Sequence, residues 1–198
     1  VTVGGSGKTP LVAWLVRRLL RAGFRPGIVS RGYGRRAGAH PVLVAVDDPA
    51  EVVGDEPLLL ARRTGAPVSI CADRVRAVEH LLDVAEVDII VADDGLQHYR
   101  MQRDLEFAVI DGARGLGNGR LLPAGPLREP AARLNEVDCI FVNGGSAGGP
   151  DEFVTTGFDL RPDRARALAD PAASDLDAFP RPPGPAGAGI RRPARFCA

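Results

Sequence analysis

Six residues near the start of the chain, Gly4-Gly5-Ser6-Gly7-Lys8-Thr9, have the types needed to hold phosphate. Glycines at 4, 5 and 7 let successive backbone N–H groups converge on phosphate oxygens. Lys8 could then reach the β- and γ-phosphates, and the Thr9 hydroxyl could ligate Mg²⁺. The usual pattern, G-x-x-x-x-G-K-[ST], asks for a glycine where this chain has Thr2. The plainer alternative is an ordinary strand–helix turn. Composition argues against it: of 25 basic residues, 24 are arginine, and Lys8 is the sole lysine.

A phosphate loop needs a metal-holding carboxylate at the end of a neighbouring strand, and VDIIVADD (87–94) ends in Asp93 and Asp94. Two adjacent carboxylates at a buried strand end repel each other unless a cation is near. The alternative is a pair of exposed turn residues before Gly95. The next residues, GLQHY, put Gln97 and His98 where both a nucleotide and the carboxylates could be touched. Arg31, in the Gly-rich SRGYGRR, suits a phosphate clamp or a solvated loop charge. LLPAGPLREP (121–130) reads as a rigid connector or an active-site loop.

These residues need a scaffold, and the hydrophobic pattern supplies one. A strand stump at Val1–Val3 leads into the loop, and a helix follows from near Pro10 with Gly23 closing it. Strands are expected at 26–30, 40–46, 67–71, 87–94, 105–111 and 137–143, and helices at 55–63 and 74–85. Continuous apolar strands alternating with amphipathic helices predict an α/β fold, a mostly parallel sheet covered on both faces, with ligands beyond the strands' carboxyl ends. Residues 1–165 are expected to form a phosphate-loop nucleotide-binding lobe, with a Pro/Gly/Ala-rich linker or tail over 166–198.

Composition narrows the class. Formal charge is zero and 45% of residues are hydrophobic, a globular balance that does not point to nucleic acid. Cys71, Cys139 and Cys197 are too dispersed for a familiar zinc site or a disulfide framework. No apolar run approaches the roughly 20 residues needed to span a bilayer. His80, in a helical repeat, reads as a surface or packing residue. Arg17, Arg18 and Arg21 read as solvated charges on a helix whose apolar face covers the sheet, with contact to anionic lipid as the alternative.

GGSGKTP, SRGYGRR, GDEPLLLA (54–61), DDGLQHY (93–99) and DGARGLGNGRLLPAGPLREP (111–130) together resemble the tetraacyldisaccharide 4′-kinase family. The resemblance implies a phosphate-loop kinase that moves the γ-phosphate of ATP to the 4′-hydroxyl of an acylated glucosamine disaccharide 1-phosphate, making lipid IVA for lipid A. It implies ATP contacts over Thr2, Val3, Gly4, Gly5, Ser6, Gly7, Lys8 and Thr9, with Gln97 and His98 nearby. Mg²⁺ would be held by Thr9, Asp93 and Asp94. Lys8 and Asp94 would be catalytic, and Asp55 would accept the 4′-OH proton. Arg31, Arg128 and Glu129 match positions near the phosphates or the lipid headgroup. The family's histidine partner for Asp55 lies in a second lobe, and none of His40, His80 and His98 stands in its place. The resemblance also implies a preceding segment on the cytoplasmic face of the bacterial inner membrane and a second lobe after residue 198. Relative to the family this chain is therefore expected to be incomplete at both ends. Two readings compete: another phosphate-loop protein, such as a GTPase-like metallochaperone or a synthetase, and a nucleotide-binding fragment without turnover. No NKxD-type guanine motif supports the first.

Overall fold

The structure is a computed structural model, and it describes residues 6–32, 40–144, 153–161, 164–166 and 173–175. The strand stump at Val1–Val3, the loop positions Thr2 to Gly5, most of SRGYGRR and Cys197 lie outside the described residues. The chain divides into two compact units. One comprises Gly7–Ala108 and Glu136–Cys139, the other Val1–Ser6, Val109–Asn135 and Ile140–Ala198.

The first of these opens with α1 (Lys8–Arg21). It begins two residues before Pro10, because a proline in the first helical turn gives up only an N–H that has no intrahelical acceptor. Its end is closed as expected: Phe24 N–H donates to the Leu19 carbonyl and Gly23 adopts φ 89°. Next come β1 (Pro26–Ser30), β2 (Val42–Leu43), α2 (Ala50–Val53), α3 (Asp55–Thr64), β3 (Val68–Ile70), α4 (Arg74–Val84) and β4 (Ile89–Ala92). The sheet order is β2-β3-β1-β4. β1 runs parallel to β3, with Ile28 opposite Val68, and parallel to β4, with Val29 opposite Ala92.

Period-two alternation gives this sheet two dry faces. Ile28, Val68 and Ile70 pack with Ala13 and Val16 of α1 and with Leu58, Leu60 and Ala61 of α3. Val29 turns the other way, toward Ala77 and Leu81 of α4. All five β1 residues are buried, as befits a central parallel strand. Gly54, between α2 and α3, sits at φ 92° and ψ 149°, a region essentially restricted to glycine, so the GDEP turn requires it.

Several strands differ from expectation. The apolar run 40–46 yields only Val42–Leu43, both exposed. It is an antiparallel edge, paired among the described residues to β3 alone, and the chain leaves it when Ala45 N–H turns onto the Asp48 carboxylate at 2.8 Å. The strand expected over 87–94 spans Ile89–Ala92 and is half-buried throughout rather than fully buried. The expected 105–111 and 137–143 shorten to β5 (Phe107–Asp111) and β6 (Cys139–Asn143). Asp138 explains the shared late start: its carboxylate takes the Glu106 N–H at 2.6 Å, and its own N–H goes to the Glu106 carbonyl.

The other unit carries most of the sheet β5-β6-β7, in which β7 (Thr155–Phe158) lies parallel to β6. Beyond it, β8 (Arg164–Arg166) and β9 (Ala173–Asp175) form an antiparallel pair. Residues 112–130 fold into linked turns around buried Leu127. Asn118 ties them together, donating to the Ala124 carbonyl at 2.9 Å and accepting from Arg120 N–H at 3.1 Å. A Cβ on Gly125 would collide with the Asn118 side chain and the Arg120 carbonyl, so this segment needs glycine for close approach. LLPAGPLREP is thus a rigid turn assembly.

Candidate phosphate-transfer site

Gly7, at φ 94°, stands at the N-cap of α1, and no side chain among the described residues caps the first N–H groups of the helix. An anion is the natural partner for such an end. Ser6 just before it is 2% exposed, and its hydroxyl has no hydrogen-bond partner among the described residues. The Ser6 carbonyl is fixed by the Asn143 side-chain amide at 3.2 Å, within one unit. A buried hydroxyl without a partner is costly unless a ligand completes it, and a phosphate oxygen would. Lys8 and Thr9, in the first turn, are half-buried.

Lys8 Nζ lies 3.5 Å from Asp94 Oδ1. The helix and the end of β4 therefore bring together the two residues that the sequence singled out separately. Asp94 adopts φ 53°, a left-handed conformation uncommon outside glycine. Its neighbour Asp93 is 2% exposed, and its Oδ1 has no hydrogen-bond partner among the described residues. Asp93 N–H is held by the Val29 carbonyl at 2.9 Å, which locks the pair to the sheet. Burial, then the charges of Glu56 and Asp94, push the Asp93 carboxyl up to about 6; Lys8 and Arg74 oppose this and do not prevail. A buried carboxylate short of positive charge is the donor set a hard cation would complete. Among the described residues no three His, Cys, Asp or Glu side chains form a metal cage. Mg²⁺ takes one or two carboxylates and draws its other ligands from water and phosphate, and Asp93 with Asp94 could supply those carboxylates.

Two contributors were not named from the sequence. Glu56, not Asp55, is the GDEP carboxylate whose charge reaches Asp93. Asp55 is exposed at the first residue of α3. Arg74 is 2% exposed at the first residue of α4, donating Nη1–H to the Cys71 carbonyl at 2.6 Å. Its Nε has no hydrogen-bond partner among the described residues. Burial and the like charge of Arg31 pull Arg74 down to about 10, so it stays charged at neutral pH, and the Asp93 and Asp94 charges favour that form. One local signal marks it: arginine at the positive end of a helix is unfavourable unless something compensates.

Arg74 also lines a cavity of about 450 Å³ with Asp73, Gln97, His98, Tyr99 and Arg100. His98 is lowered, first by burial and then by Arg74 and Arg31, so its ring is neutral at pH 7. Arg31 is exposed at the end of β1. His80 donates to or accepts from Ser69 at 3.2 Å and is a packing residue. In the other unit, Arg128 is half-buried and Glu129 is 9% exposed, with Arg133 Nε at 3.9 Å from Glu129 Oε1.

A lysine-bearing helix turn set against a carboxylate pair at the end of a parallel strand marks an α/β protein of the phosphate-loop NTPase type. The whole chain, residues 1–198, matches the family described as LpxK, tetraacyldisaccharide-1-P 4′-kinase, and belongs to it. It is 55% identical to the tetraacyldisaccharide 4′-kinase of Alkalilimnicola ehrlichii over 199 residues, covering 100% of this chain and 58% of that protein. The Pseudomonas entomophila protein of the same description is 50% identical over 197 residues, 99% of this chain and 58% of the relative. The chain thus spans little more than half the length of these relatives. Among solved structures, LpxK from Aquifex aeolicus in complex with ATP superposes with a TM-score of 0.72 at 29% identity, covering 89% of this chain and 57% of that one.

Proposed function

We propose that this chain is the ATP-binding part of a lipid kinase that transfers the γ-phosphate of ATP to the 4′-hydroxyl of tetraacyldisaccharide 1-phosphate, giving lipid IVA in lipid A biosynthesis. The observation that carries this reading is the Lys8–Asp94 pair at 3.5 Å beside the buried Asp93, at the foot of a glycine-led helix. Lys8 leaves Asp94 for the β- and γ-phosphates, while the α1 N–H groups and Ser6 receive the remaining oxygens. Thr2, Val3, Gly4 and Gly5 would complete the loop. Thr9, Asp93 and Asp94 would hold Mg²⁺, whose charge would neutralise the phosphates.

Asp55, exposed and able to meet an acceptor, takes the 4′-OH proton. Neutral His98, Gln97 and Arg74 offer the adjoining cavity hydrogen bonds and one fixed charge, a lining suited to a sugar phosphate. Arg31, Arg128 and Glu129 are assigned to substrate. An acceptor with four acyl chains places the reaction at a membrane surface, the cytoplasmic face of the inner membrane. Residues 1–165 serve as the nucleotide-binding lobe in this reading, and 166–198 as a connector.

The test is transfer of γ-³²P from ATP to tetraacyldisaccharide 1-phosphate in detergent, with this chain run beside a family-length relative. Label in the lipid from the short chain is the result expected of a self-sufficient active site. Label from the relative alone, with Mg²⁺-dependent ATP binding by the short chain, would make this chain a nucleotide-binding part without turnover. Absence of ATP binding by the folded short chain would refute the reading.

A further inference from the structure

The first 46 residues hold eight basic side chains and no acidic one, leaving 17 basic against 25 acidic residues in the rest of the chain. A protein of zero net charge is therefore strongly divided, a distribution that points to an anionic partner. Five of those eight basic residues, Lys8, Arg17, Arg18, Arg21 and Arg25, fall on or just after α1. Its inner face buries Ala13 and Val16, while Trp14, Arg17, Arg18 and Arg21 recur at helical spacing on the exposed side. Trp14, the sole tryptophan of the chain, is 54% exposed on that outer side.

The arginines differ in what they can do. Arg17 is committed to structure, donating Nε–H and Nη2–H to the Arg63 carbonyl at 3.0 and 2.8 Å. That bond sets the end of α3, which carries exposed Arg62 and Arg63, alongside α1. Arg25 is already matched by Glu86 and Asp88. Arg18 and Arg21 remain as exposed charges beside the indole. A purely solvated helix face gains nothing from exposing a tryptophan among its arginines. An aromatic ring with a polar N–H, ringed by arginines, is the chemistry of a membrane–water interface.

We infer that the outer face of α1 rests on an anionic lipid surface, with Trp14 at headgroup depth and Arg18 and Arg21 on lipid phosphates. The inference deepens the kinase reading and rests on it for choosing a membrane over another polyanion. It requires no turnover, so the two can fail separately.

Trp14 is a built-in reporter. Its fluorescence is followed, without ATP, as the 198-residue chain is titrated with vesicles of phosphatidylglycerol and phosphatidylcholine, and with pure phosphatidylcholine. The expected result is a blue shift, with quenching by brominated acyl chains, on the anionic vesicles alone and fading as salt rises. Each arginine at such a surface contributes about five-fold in affinity, so R18S/R21S should bind about 25-fold more weakly while retaining its helical circular dichroism. An unchanged spectrum, or an equal shift on pure phosphatidylcholine, would overturn the inference. So would vesicle co-sedimentation that leaves Trp14 unaltered, since another surface would then be binding. An equal shift with soluble polyglutamate would assign the face to an acidic protein, and a concentration-dependent shift without vesicles would assign it to a second copy.

Discussion

Replacing Asp93 by asparagine should stabilise the ligand-free protein at neutral pH and leave it unchanged in acid. The Asp93 carboxyl is raised from 3.8 to about 6 because it is buried near Glu56 and Asp94. A carboxyl raised in the folded state favours folding at low pH, where both states hold the proton. That advantage is lost as pH rises from about 4 through 6, because the unfolded chain ionises first. At 1.36 kcal/mol per pH unit between the two values, the folded state carries about 3 kcal/mol of uncompensated charge above pH 7, an upper bound once neighbours relax. The substituted amide would have the same shape without that charge, and the Oδ1 position has no hydrogen bond to lose among the described residues. In urea, with m of about 2–3 kcal/mol/M, the variant's midpoint should exceed that of the parent by about 1 M at pH 8. At pH 3 the two midpoints should coincide. Carboxylates remote from this site titrate alike in both proteins, so the difference isolates Asp93 and its coupling to Glu56 and Asp94. Saturating Mg-ATP should reverse the order at pH 8, since the cation would relieve the parent and not the variant. Equal midpoints at both pH values, or a variant less stable at pH 8, would refute the electrostatic reasoning.

Lys8→Ala should weaken Mg-ATP binding about 10- to 100-fold by calorimetry, the loss of one charge-assisted contact, and unchanged affinity would remove the loop from the site. Asp55→Asn should leave ATP affinity near that of the parent, because its place is with the acceptor, while stopping transfer in a family-length enzyme; retained turnover would show that another group takes the proton. Gly125→Ala should cost about 1–3 kcal/mol in thermal or urea unfolding, because the new methyl meets the Asn118 side chain and the Arg120 carbonyl with no flexible neighbour to yield.

What the residues announced, and what they concealed, follows from the range of the forces involved. The loop and α1 were legible because glycine, lysine, threonine and an amphipathic repeat act over a few neighbours in sequence. Asp93 and Asp94 were legible as a pair, but their separate environments were not. Sequence could not say that Asp93 would be buried while Asp94 turned out to φ 53° and met Lys8, because burial depends on strands far apart in the chain. The run 40–46 misled for the same reason. Apolar alternation reads alike in a central strand and an edge, and only its pairing, to β3 alone among the described residues, makes it an edge. Arg74 was missed because helical periodicity treats it as the polar start of α4. Its burial beneath the Cys71 carbonyl, in reach of the Asp93 and Asp94 charges, arises where β3 hands over to the helix. A charged residue at the wrong end of a helix dipole is thus a more telling signal than its polarity, because the fold must supply the compensating charge. Here Asp93 and Asp94 supply it, and the same acidic pair that asks for a cation already leans on one.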